Sequence, residues 1–182
     1  VDVDPKAVAY AASRYSAPNV EFAVMDLAAL ALEDASFDAV CAFEAIEHVS
    51  DPEAVLGEVA RVLRPDGTVV VSTPRAEVTT NRPENPYHSV EYAPADFERL
   101  LGGFFEEVVL YGQRRLQTRR HRLAQRLDVL GLRRRLRPAR ATATLLGTRP
   151  TAQATLDDVV IEQATLDRAS EIVAVCSGPR RP

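Results

Sequence analysis

Glu44, Glu47 and His48 fall within five positions of one another in the stretch FEAIEHVSDP. Two carboxylates and an imidazole are groups that move protons near neutral pH or bind a divalent ion. Histidine, with an ordinary pKa of about 6.5, suits a general base that takes the proton of a hydroxyl as its oxygen attacks. At spacings i, i+3 and i+4 the three side chains share a face if the chain is helical there. A later loop, NPYH, carries His88, which could close the same site. Glu44, Glu47, His48 and His88 together, two carboxylates and two imidazoles, fit a transition divalent ion better than magnesium, which prefers oxygen and water. The plainer alternative is structural: Glu44 accepts loop amides, Glu47 is solvated and His48 packs on the next helix. For NPYHSVEY the plain alternative is a turn at Asn85-Pro86, with Tyr87 and Tyr92 as packing residues.

The surrounding pattern says what must position these groups. Asp4-Pro5 opens a helix, with Asp4 as N-cap, and Val8, Ala11, Ala12 and Tyr15 fall on one face. Val20, Phe22 and Val24 alternate as a strand ending at Asp26. FDAVCAF, nearly continuously apolar, reads as a parallel strand covered on both faces. Ser50-Asp51-Pro52-Glu53 reads as a capping box opening a helix, and Arg64-Pro65-Asp66-Gly67 as a turn before the strand TVVVST. A helix near Pro94 to Leu101, a strand from Phe105 to Tyr111 and a last strand, EIVAVC, complete the alternation. Strands alternating with helices imply an α/β fold with a mostly parallel, Rossmann-like sheet. Ligands in such sheets bind beyond the carboxyl ends of the strands, where Asp2, Asp26 and Glu44 stand on three successive strands.

Composition narrows the chemistry. The 182 residues are 46% hydrophobic and 26% charged, as in an ordinary globular domain. Lys6 is the sole lysine, so 21 of the 22 basic residues are arginine. That removes phosphate-loop, Schiff-base and Tyr-x-x-x-Lys chemistry, each of which needs a lysine at its motif. No apolar run of eighteen residues and no leader pattern is visible, and Cys41 and Cys176 both sit in apolar runs as small core residues. A cytoplasmic setting is expected.

VDVDPKAVAYAASRY, VEFAVMDL and FDAVCAFEAIEHVSDPEAVLGEVARVLRPDGTVVVSTP together resemble the class I S-adenosylmethionine-dependent methyltransferases, in order, spacing and wording, from Val1 to about Gln113. The resemblance implies that Asp2 binds the cofactor ribose and that Asp26 and the Leu27 amide meet its adenine, with Phe43 close by. It places His88, Glu91 and Tyr92 on the acceptor side, and His48 and Glu44 at the reaction. The Glu-x-x-Glu-His wording is similar to that of small-RNA 3′-end and ubiquinone-pathway O-methyltransferases, in which acids and histidines bind a divalent ion. The family's first strand and glycine-rich loop would precede Val1. The chain is therefore expected to lack that strand and, alone, to bind the cofactor poorly.

Three segments follow: residues 1–113 as the methyltransferase core, 114–168 as an arginine-rich helical insertion and linker, and 169–182 as the last strand and tail. Between Arg114 and Arg140, eleven arginines face one acid, Asp128, for a charge of about +10. Leu116, Leu123, Leu127 and Leu130 give this arm an amphipathic pattern. A bland insertion paired with the acidic body, contact with an anionic membrane surface, or grip on a phosphorylated or lipid-linked acceptor would each use it. Nucleic acid fits less well, since the arm lacks interleaved aromatics and the net charge is −4. The expected function is methyl transfer to a hydroxyl of a small-molecule, sugar or lipid-linked acceptor. The alternative is a non-catalytic methyltransferase remnant that binds anionic surfaces or partners through the arm.

Overall fold

The computed structural model describes residues 1–115 and 159–180. The arginine-rich arm beyond Arg115 lies outside the described residues. The helices are α1 (Pro5–Tyr15), α2 (Pro52–Val62) and α3 (Pro94–Gly102). The strands are β1 (Phe37–Phe43), β2 (Leu63–Pro74), β3 (Phe105–Arg115), β4 (Val159–Glu162) and β5 (Glu171–Pro179), with 3₁₀ turns at Ile46–His48 and Gln163–Arg168. β4 and the second of these turns fall inside the span 114–168 set aside from sequence as insertion and linker.

The strands form one sheet in the order β1-β2-β5-β3-β4. β1 pairs with β2 in parallel, Val40 opposite Val69. β5 is inserted antiparallel between β2 and β3, with Cys176 opposite Val69 and Ala174 opposite Leu110. β1, β2 and β3 thus share one direction, while β5 and the short β4 run against it. The sheet is α/β and mixed, and it brings the C-terminal ends of β1 and β2 beside the first residues of β5.

Local chemistry explains the boundaries. Asp4 caps α1 by accepting from the Lys6 amide at 2.9 Å, with Pro5 in the first turn. In α2 the cap is Asp51, which accepts from the Ala54 amide at 2.9 Å, and not Ser50. Pro52 occupies the first helical position, and the residue before it becomes the cap. The expected turn Arg64–Gly67 is absorbed into β2 as an irregularity: Phe37 pairs with Leu63, yet Ala39 pairs with Thr68. The expected strand through Val20, Phe22 and Val24 reduces to one parallel bridge, Asp2 with Val24.

The core lies between the sheet and α2 and α3. Val55, Leu56 and Val59 of α2, Phe97 and Leu101 of α3, Val69 and Val71 of β2, and Ile172 and Ala174 of β5 are all buried. Each large apolar side chain buried here contributes about 1.5–3 kcal/mol. Gly112 of β3 is required by close approach. A side chain there would begin 2.6 Å from the Leu166 backbone, where the 3₁₀ turn Gln163–Arg168 crosses and Thr165 Oγ1 donates to the Gly112 carbonyl.

The N-terminal side differs from expectation. β1, read as covered on both faces, is largely exposed, and Cys41 with it. α1 has no buried residue. Among the described residues nothing pairs with the outer edge of β1, and α1 buries no residue that could cover a face of the sheet.

Candidate active site

The chain leaves β1 at Phe43 and turns sharply at Glu44, whose φ of 50° lies in the left-handed region. A side chain held there costs on the order of 1 kcal/mol or more and is retained only where its surroundings impose it. Here Glu44 is tied to β2 twice: its amide donates to the Ser72 carbonyl at 3.1 Å, and Ser72 Oγ donates to its Oε1 at 2.7 Å. Burial raises the Glu44 pKa; the Ser72 hydrogen bond opposes that, and the nearby charges of Glu47 and Glu171 raise it further.

Glu47 lies in the 3₁₀ turn Ile46–His48 and is not solvated: it is 1% exposed. Among the described residues its carboxylate receives one hydrogen bond, from Thr73 Oγ1 at 3.2 Å. A buried carboxylate so thinly supported is costly unless a cation or further donors complete it. His48 Nε2 is the nearest candidate, 3.8 Å from Glu47 Oε1.

The loop after β2 brings His88, Glu91 and Tyr92, expected on the acceptor side, over this turn. It is closed by paired bridges, Arg75 with Tyr92 and Thr80 with Glu91. It is stitched to the 3₁₀ turn by the Ser89 amide, which donates to the Glu47 carbonyl at 2.7 Å. His48 Nδ1 lies 2.8 Å from the Tyr87 carbonyl. A carbonyl only accepts, so Nδ1 carries the proton and the neutral ring keeps its lone pair on Nε2, toward Glu47. The His48 and His88 rings meet edge to face, with centroids 4.9 Å apart. His88 Nδ1 lies 2.8 Å from Glu91 Oε1. Tyr92 is buried, and burial, then the charge of Glu47, raises its phenol pKa.

Donor atoms of Glu47, His48 and His88 all lie within 4.8 Å of one another. Glu44 stands outside that group, because its left-handed turn directs the carboxylate to Ser72 and not along a helical face with Glu47 and His48. The donor set fits a transition divalent ion: one thinly supported buried carboxylate and two imidazoles, each holding its Nδ1 proton on an oxygen.

The expected cofactor residues form a second group. Asp2 is bridged to Val24, and the Met25 amide donates to the Asp2 carbonyl, so Asp2 and Asp26 sit on neighbouring extended segments. Each uses one carboxylate oxygen on a local amide, Asp4 N at 2.8 Å and Ala28 N at 2.9 Å. Among the described residues no hydrogen bond reaches the other oxygen, which fits binding of hydroxyl or amino groups from solvent. Leu27 is half-buried, and Phe43 is exposed at the end of β1. A separate cleft of about 820 Å³ lies between α2 and the Phe104–Arg180 contact, lined by Ala54, Gly57 and Arg61, and none of the expected site residues line it.

Sequence reasoning missed Ser72, Thr73, Asn85 and Glu171. A signal existed for the first two, since Ser-Thr-Pro closes an otherwise apolar strand with hydroxyls at its carboxyl end. Glu171 had none, because only strand order brings the start of β5 beside the end of β2.

Comparison with known proteins bears on the fold and the family. A family model described as "Methyltransferase domain" matches residues 1–71. A probable S-adenosylmethionine-dependent methyltransferase of Mycobacterium tuberculosis is 44% identical over 116 residues, 62% of this chain and 42% of the relative. A ubiquinone biosynthesis O-methyltransferase of Xanthomonas campestris is 40% identical over 76 residues, 40% of this chain and 32% of the relative. The chain thus spans less than half the length of these curated relatives. The methyltransferase solved in complex with the Haloferax volcanii Trm112 methyltransferase activator superposes with a TM-score of 0.56, covering 99% of this chain and 70% of that one at 19% identity. Strand order, strand-end acids and these similarities converge: the chain has the Rossmann-like fold of the class I S-adenosylmethionine-dependent methyltransferases, and its residues 1–71 match the methyltransferase domain.

Proposed function

We propose that the chain serves S-adenosylmethionine-dependent methyl transfer to a hydroxyl of a small-molecule, sugar or lipid-linked acceptor. The observation that carries the reading is His48, a part-exposed ring whose Nδ1 proton is held by the Tyr87 carbonyl so that the lone pair stays on Nε2, beside the Glu47 carboxylate. When bound, the cofactor supplies a methyl group made electrophilic by a sulfonium sulfur. Asp2 and Asp26 hold its ribose and adenine, with the Leu27 amide beside Asp26 and Phe43 close by. His48 Nε2 takes the acceptor's hydroxyl proton as the oxygen attacks, and the imidazolium so formed lies beside the Glu47 carboxylate. Glu44, its carboxyl shifted upward by burial, is the second group able to handle a proton. His88, Glu91 and Tyr92 face the acceptor. The name of the Xanthomonas relative, a ubiquinone biosynthesis O-methyltransferase, supports oxygen as the methylated atom.

Methyl-tritiated S-adenosylmethionine offered with a panel of phenols, sugars and lipid-linked glycans tests this. His48→Ala is expected to lower transfer to the preferred hydroxyl on the order of a hundredfold, with cofactor affinity by calorimetry unchanged. An unaltered rate would remove His48 from the mechanism.

A second reading is favoured by the convergence of Glu47, His48 and His88. In it these three residues hold a divalent ion, and His48 is a ligand instead of a base. Such an ion would orient the acceptor hydroxyl and lower its pKa. Chelator treatment is then expected to abolish transfer and added Mn²⁺ to restore it. Full activity in chelator would leave His48 as the base.

A further inference from the structure

Both ring nitrogens of His88 are occupied. Nδ1 lies 2.8 Å from Glu91 Oε1, and Nε2 lies 2.8 Å from Asn85 Nδ2. A carboxylate accepts and an amide nitrogen donates, so the ring carries its proton on Nδ1 and gives the Nε2 lone pair to Asn85. The amide's orientation is fixed independently, because Asn85 Oδ1 accepts from the Tyr87 amide at 3.1 Å. The His88 side chain is 10% exposed and wedged against His48, so the ring has little room to turn away from this arrangement. A lone pair that already receives an N–H does not also bind an ion.

We propose that Asn85 is a cap on His88, and that the ion site of Glu47, His48 and His88 is complete only when the Asn85 amide releases Nε2. The inference rests on the divalent-ion reading above. Asn85 is then a positioning residue that sets how tightly the ion is held, since each binding event must break one hydrogen bond. An acceptor able to take the amide proton of Asn85 would free His88 and couple its own binding to the ion's.

The test is a Mn²⁺ titration of the full 182-residue chain, with free ion followed by electron paramagnetic resonance. Asn85→Ser keeps a short oxygen for the Tyr87 amide but cannot reach His88. It is expected to bind Mn²⁺ about fivefold more tightly, the worth of one hydrogen bond. His88→Ala is expected to bind roughly tenfold more weakly or worse. If Asn85→Ser binds equally or more weakly while His88→Ala still loses affinity, the cap is overturned and the ion reading stands. If no form binds Mn²⁺, both are overturned. Should Asn85→Ser lose its cooperative melt, the imidazole ¹⁵N spectrum of the unaltered, metal-free chain decides. A proton on Nδ1 of His88 supports the cap, and a proton on Nε2 overturns it.

Discussion

β1 and β5 are nearly the same strand on paper. FDAVCAF and EIVAVC are both short, apolar and rich in alanine and valine, and each carries one cysteine near its end. In the fold they are opposites. β5 lies between β2 and β3, with Ile172 and Ala174 fully buried and Cys176 at 1% exposure. β1 is bonded to β2 alone, with Phe37 39% and Phe43 59% exposed. An apolar run therefore predicts a strand, while burial is supplied by its neighbours. β5 receives two strands and a helical layer; β1 receives one strand among the described residues.

Thiol chemistry gives the widest separation. Burial pushes the Cys176 thiol up to about 12, whereas Cys41 is exposed on β1. Cys41 is expected to react with a disulfide reagent in the native chain at least about a thousandfold faster than Cys176, because opening a core strand costs on the order of 5 kcal/mol. Similar rates, read by mass spectrometry over time, would break the comparison, for β5 would then open as readily as β1. Next in size is packing. Ile172→Ala is expected to cost about 2–5 kcal/mol in urea unfolding, and Phe37→Ala about 1 kcal/mol or less. Equal losses would mean that β1 is as firmly held as β5.

The smallest effect lies at the ends of the two strands, where Glu44 after β1 feels the charge of Glu171 at the head of β5 across β2. Glu44 has a folded pKa above the ordinary carboxylate value, so protonation favours the fold. That stability is fully present below the unfolded pKa and is lost as pH rises through the raised folded value. Glu44→Gln removes the partly desolvated charge. It is expected to melt higher than the unaltered chain at neutral pH and to lose that advantage in acid. An advantage independent of pH would place its origin in packing instead of charge.

Much of this was legible residue by residue. Asp4-Pro5 starts a helix wherever it stands free, because the cap and the fixed proline φ act within one turn. Val55, Leu56 and Val59 define the core face of α2 by period alone. Glu47, His48 and His88 converge as their residue types suggested, while Glu44 does not, because its backbone leaves the helical region. The capping-box pattern points to Ser50, but Pro52 at the first helical position makes Asp51 the cap of α2, and the irregular pairing at Arg64–Gly67 depends on the partner strand.

The sequence by itself determined the alternation of strands and helices, the acids at strand ends and a histidine beside two glutamates. These are set by local propensity, by period and by side-chain chemistry, none of which needs a distant partner. Only the tertiary structure decided that Glu47 is buried against Thr73 and that Tyr87 and Glu91 hold the imidazole protons. It alone decided that β5, far along the chain, slots between β2 and β3. Burial, tautomer and strand order arise from contacts between segments tens of residues apart, and such contacts exist only once the sheet has closed.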